Sequence, residues 1–157
     1  MRVSVPQFFR SPLRDHFVGS TDHDLTIFEH REEFRSDRLP PRGIPLHSHR
    51  SEDEAWYVLE GGLRFRFGNE EFDAPAGAGV LLPKGIPHTF WNPGPEPVRY
   101  LMIVRPRTAA LLAALHAPGA PDPRGLGAVY AEFDVDLLES SNGRSAPSRP
   151  RPYVGGP

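Results

Sequence analysis

The sequence predicts an all-β chain, a sandwich or barrel of short strands followed by short helices near the C-terminus. Three observations predict it. First, 19 prolines and 15 glycines among 157 residues punctuate the chain too often for long helices. Second, LRFRF at residues 63–67 alternates apolar and charged side chains at period two, the mark of a strand buried on one face. Third, turn signals recur at short intervals: Gly61-Gly62, Gly68-Asn69, Pro83-Lys84-Gly85 and Asn92-Pro93-Gly94-Pro95. Short strands with turns at that spacing suit two packed sheets or a closed barrel.

The elements follow in order. Residues 1–14 hold Pro6 and Pro12 and read as a flexible N-terminal arm. Residues 15–106 form the β-barrel domain. Its first extended pieces are HFVG and LTIFEH, the latter from Leu25 to His30. RLPPRGIP at 38–45 is a connection in which three prolines forbid a regular helix. EAWYVLE, LRFRF, VLLP at 80–83, HTFWN and VRYLMIV at 98–104 read as strands. Beyond Pro106 the character changes, and residues 107–139 form a C-terminal helical segment. TAALLAALHA at 108–117 reads as a helix with Thr108 as N-cap. A second short helix is expected around 123–132, weakened by Gly125 and Gly127, and FDVDLL at 133–138 as a closing strand. Residues 140–157 are a polar Pro/Gly/Arg/Ser tail that is expected to be disordered.

Composition excludes several kinds of chemistry. There is no cysteine, hence no disulfide, thiolate site, iron–sulfur cluster or cysteine nucleophile. A metal would need His, Asp, Glu or water. The net charge of −2 and the lack of a basic stripe argue against nucleic acid as a partner. No run approaches the ~18 apolar residues of a membrane span, and the N-terminus does not read as a signal peptide. A cytoplasmic protein without membrane partners is the expectation.

One constellation carries chemistry. In LHSHRSEDEAW, His47 and His49 point to the same side of an extended segment. Glu54 lies beyond a turn-like SED segment, where a returning strand brings it back to the same place, with residues 54, 56 and 58 on the inward face. His88 follows the Pro83-Lys84-Gly85 turn and opens a strand in which it shares a face with Phe90 and Asn92. Three imidazoles and one carboxylate on converging strands suit a divalent transition metal with positions left for substrate. Trp56 and Phe90 share the parity of the ligands and are equally core residues or pocket walls. Glu52 and Asp53 read as solvated loop acids, and His30 as a surface strand residue. His116 suits the last turn of its helix, where a cation meets the dipole. Asn92 reads as a turn-fixing side chain.

These residues resemble the two motifs of the cupin superfamily. The first reads Gly43, His47-Ser48-His49, four residues, Glu54, six residues, Gly61. The second reads Gly77, five residues, Pro83-Lys84-Gly85, two residues, His88, three residues, Asn92. The spacer after Gly43 is shorter than the family's; the ligand spacing is unaffected. The resemblance implies a small double-stranded β-helix barrel of jelly-roll type with His47, His49, Glu54 and His88 as metal ligands. The family metals are Fe, Mn, Ni, Co, Cu and Zn, and the spacing does not choose among them.

The pattern looks like that of quercetinase-like cupins, dioxygenases that cleave flavonols at a three-His, one-Glu centre. That implies dioxygen and an aromatic or enol-type small-molecule substrate, with Glu54 doubling as catalytic base. A redox-neutral isomerase, epimerase or cyclase using the metal as Lewis acid is the alternative, and a non-catalytic binding module the third. A homodimer is expected, because small barrels of this family pair through sheet edges or exchange N-terminal strands.

Overall fold

The computed structural model describes residues 17–18, 23–34, 44–119 and 125–138. The expectations for the arm at 1–14 and the tail at 140–157 lie outside these residues, as does Gly43. Within them are ten strands and two helices. The strands are β1 (Phe17–Val18), β2 (Thr26–Glu32), β3 (His47–His49), β4 (Glu54–Glu60), β5 (Gly62–Phe67), β6 (Glu70–Pro75), β7 (Gly79–Leu82), β8 (His88–Trp91), β9 (Val98–Val104) and β10 (Val135–Leu137). The helices are α1 (Pro106–His116) and α2 (Leu126–Glu132).

The strands form two five-stranded sheets, ordered β1-β2-β9-β4-β7 and β10-β3-β8-β5-β6. Every pairing is antiparallel. This is the all-β, double-stranded β-helix architecture. Period-two alternation builds its core. In β9, Val98, Tyr100, Met102 and Val104 are buried and the residues between them are less so. In β5, Leu63 and Phe65 point in while Arg64 points out and pairs with Asp73 on β6. Trp56 meets Phe65 and Phe90 edge-on, with ring centroids 5.5 and 5.3 Å apart, filling the space between the sheets.

Two differences from the sequence reading have physical causes. Strand β6 has no clear pattern in EEFDAP, because it is an edge strand and only Phe72 and Ala74 need meet the core. Helix α1 begins at Pro106, with Arg105 at the N-cap making no side-chain cap. Proline suits the first helical position, where no N–H is needed. Thr108 is therefore not the cap; it lies buried inside the first turn.

The two helices form a second cluster with β10, around Leu111, Tyr130 and Val135. Strand β10 pairs with β3, placing Val135 opposite His49 and Leu137 opposite His47. The C-terminal segment thus extends the sheet that carries the His-x-His pair. Among the described residues, no helix is long and apolar enough to cross a membrane.

Candidate metal centre

Strand register assembles the four predicted ligands. His47 on β3 pairs directly with His88 on β8 in one sheet. Glu54 is the first residue of β4 in the opposite sheet and faces them across the barrel mouth. The Pro83-Lys84-Gly85 turn is tied to β3 by the Gly85 N–H donating to His49 O at 2.7 Å. The Lys84 N–H donates to Asp53 Oδ1 at 2.8 Å, so the exposed Asp53 closes this turn.

One ligand atom from each of His47, His49, Glu54 and His88 falls within a set whose members all lie within 4.8 Å of one another. All four residues are buried. The His47 and His88 rings are 4.4 Å apart, and His49 lies 5.0 and 5.5 Å from them. Glu54 Oε1 is 3.0 Å from His49 Nε2, and Oε2 is 3.3 Å from His88 Nε2.

The outer nitrogens reveal how the inner ones are set. His47 Nδ1 lies 2.9 Å from Pro45 O, and His88 Nδ1 lies 2.9 Å from Ile86 O. A carbonyl only accepts, so each Nδ1 carries the proton. With its proton on Nδ1, a neutral ring presents its Nε2 lone pair toward the carboxylate. His49 Nε2 is buried without a hydrogen-bond partner despite its closeness to Glu54. Lone pairs and a carboxylate crowded into a buried space repel unless a cation lies among them. Nitrogen and carboxylate donors of this kind suit one divalent transition metal. These residues fit the group the motifs imply.

Burial pushes the Glu54 carboxyl up, but its contacts with His49 and His88 and the nearby imidazole charge outweigh this and hold it at about 2. Burial, then repulsion from His88, lowers His47 to about 4. At neutral pH the site presents an anion and a neutral imidazole, the forms that ligate.

A cavity of about 300 Å³ opens over His47, His49 and Glu54. Its barrel wall includes Phe90, Tyr100 and Met102, and its roof Leu111 and Leu115 from α1 and Tyr130 from α2. Phe90 thus lines the cavity, whereas Trp56 does not: Trp56 lies in the core between Phe65 and Phe90.

Several residues depart from the sequence reading. His30 is half-buried, stacks on Tyr100 at 5.5 Å and lines the cavity; β2 turns it inward with Phe28. Burial, then the charge of His116, lowers its pKa. Glu52 is a buried residue, not a solvated one. Its carboxylate accepts from the Arg107 and Thr108 N–H groups at 3.1 and 2.9 Å and from the Thr108 hydroxyl at 2.9 Å. No local pattern signals this, since its partners lie more than fifty residues downstream. Tyr130 was missed as a cavity residue. Its ring meets His47 edge-on at 5.7 Å. Burial, then the Glu54 charge, pushes its phenol up to about 12. Asn92, by contrast, fixes its turn as expected, donating to Glu96 O at 2.9 Å and accepting from the Gly94 N–H at 2.8 Å.

The chain is similar to known proteins over part of its length. Residues 37–104 match the cupin domain model Cupin_2. An uncharacterized protein of Methanocaldococcus jannaschii is 34% identical over 56 residues, covering 36% of this chain and 45% of that protein. The chain thus spans about half the length of the curated relative it matches. Among solved structures, a sugar phosphate isomerase from a cupin superfamily, from Silicibacter pomeroyi, is 23% identical with a TM-score of 0.45, covering 53% of this chain and 51% of that one. A conserved Klebsiella pneumoniae protein with a double-stranded β-helix domain is 25% identical with a TM-score of 0.47, covering 68% of this chain and 78% of that one.

Proposed function

We propose that this chain is a metal-dependent enzyme, a dioxygenase that acts on an aromatic or enol-type small molecule. The observation that carries the reading is the cavity above the ligands. It is walled mainly by leucines and aromatic rings, and among the described residues no Lys or Arg lines it. A flat apolar molecule suits such a wall; a phosphate group would find no lysine or arginine there. The ligands His47, His49, Glu54 and His88 would hold the metal, which when bound supplies a Lewis acid and, for a redox-active ion, an electron relay to dioxygen.

The chain's own residues have separable roles. His47, His49 and His88 would hold a metal from one sheet while Glu54 would close the site from the other. Glu54 is ionised at neutral pH and in this reading would take the proton of an enol or phenol. Tyr130 keeps its phenolic proton and offers it in a hydrogen bond to an anionic substrate oxygen. Leu111 and Leu115 exclude water from the reacting end, and Phe90 offers a ring face or edge to an aromatic substrate.

Oxygen consumption tests the proposal. Protein loaded in turn with Fe, Mn, Ni, Co, Cu or Zn is assayed with flavonols and β-diketones in an oxygen electrode. Uptake coupled to substrate loss, abolished by Glu54→Gln, supports the dioxygenase. Turnover without uptake, with zinc sufficient, would replace it with an isomerase, epimerase or cyclase. Ligand binding without turnover would leave a binding module.

A further inference from the structure

The Glu52 carboxylate and the Thr108 hydroxyl serve no purpose in the chemistry above, yet both are buried beside it. Thr108 Oγ1 lies 2.9 Å from Glu52 Oε2 and 3.2 Å from His49 Nδ1. The hydroxyl has one proton to give. A carboxylate is the stronger acceptor and cannot donate, so the hydroxyl proton goes to Glu52. The hydroxyl oxygen is then left to accept, and His49 Nδ1 must be its donor.

From this chain of donors and acceptors we infer that Glu52 and Thr108 form a relay that fixes the His49 proton on Nδ1 and aims its Nε2 lone pair into the metal site. Backbone carbonyls do this for His47 and His88. His49 has side chains in that place. Such outer partners orient a ligating imidazole and raise its basicity.

The relay reaches further than one ring. The same carboxylate accepts the Arg107 and Thr108 N–H groups in the first turn of α1. An anion suits that end of a helix. Helix α1 carries Leu111 and Leu115, which roof the cavity. One carboxylate therefore holds both a metal ligand and the wall over the substrate. Ordering either one favours the other, and the linkage is reciprocal. Glu52 and Thr108 are positioning residues that act through His49.

The inference rests on the metal-centre reading, and the test separates the two. Thr108→Val deletes the hydroxyl at nearly constant shape and leaves the backbone N–H bonds to Glu52. Thr108→Ser keeps the hydroxyl. Nitrogen NMR of the His49 ring in metal-free protein reports its tautomer, and chelator competition reports zinc affinity. The expected result is an Nδ1–H tautomer in the parent and Thr108→Ser proteins and its loss in Thr108→Val. Zinc binding should weaken about 10–100-fold in Thr108→Val and recover in Thr108→Ser. An unchanged His49 tautomer together with unchanged zinc affinity in Thr108→Val overturns the relay. A parent protein that binds no zinc but shows the tautomer switch keeps the relay and refutes the metal centre. If Thr108→Val does not fold, a Thr108→Ser protein with altered tautomer and weakened zinc binding also overturns it.

Discussion

Each of the three imidazoles at the barrel mouth reads out its own environment. His47 and His88 are fixed by the carbonyls of Pro45 and Ile86, two residues upstream in each case. These contacts lie close by in sequence, and the clustering of the four side chains was legible from the motif spacing. Glu52 was not, because its partners come from a helix that arrives only when the fold closes. Replacing His49 or His88 by Ala should lower metal content at least about 10-fold, since loss of an outer partner alone costs about 10–100-fold in affinity. Far-UV circular dichroism should be unchanged. Full metal occupancy in both variants would remove these residues from the ligand set.

Acid should act on the same residues in the metal-free protein. His47 is held at about 4 in the fold against 6.5 in the free side chain, so between these values the unfolded chain binds more protons. Stability then rises with pH across that interval and is lost as pH falls. Glu54, held at about 2 against 4.5, has the same sign over a lower interval. The melting temperature of metal-free protein should therefore fall between about pH 7 and pH 4. A flat profile would show that His47 is not buried in its neutral form.

At the scale of elements, the clearest strands in the sequence were those buried on one face. Alternation in LRFRF and VRYLMIV gives β5 and β9 nearly residue for residue. Edge strand β6 carries too little apolar surface to announce itself, and the start of α1 follows from Pro106 rather than from the hydroxyl of Thr108. The turn between β4 and β5 gives a sharp local test. Gly61 has φ of +72°, and a Cβ there would lie 2.5 Å from Pro97 O. Gly68 has φ of +58° with nothing within 4 Å of such an atom. Gly61→Ala should therefore destabilise by about 3 kcal/mol, combining a strained backbone with a clash. Gly68→Ala should cost about 1 kcal/mol for the backbone alone. Urea unfolding of the two variants measures the difference; equal losses would mean that the approach of Pro97 does not constrain the turn.

At the scale of the whole molecule, strand order was beyond the reach of local pattern. Partners such as β2 with β9, or β3 with β10, are far apart in sequence and meet only through the fold. The family motifs supplied what periodicity could not. Assembly is the next level. On the sheet that carries Glu54, Tyr57 and Leu81 are exposed at neighbouring register positions of β4 and β7. Apolar side chains on an outer sheet face suit a second copy of the chain, and a homodimer through this face is the assembly we propose. Light scattering should give the dimer mass for the parent protein and the monomer mass for Tyr57→Lys combined with Leu81→Lys. A monomeric parent would contradict it.

The account depends on a cation belonging among four buried donors, so elemental analysis of the purified protein tests it most directly. About one transition-metal ion per chain, retained through dialysis and lost in a variant lacking His47 and Glu54, is the result expected of this donor set. A parent chain that takes up no Fe, Mn, Ni, Co, Cu or Zn, either as isolated or after reconstitution, would contradict it.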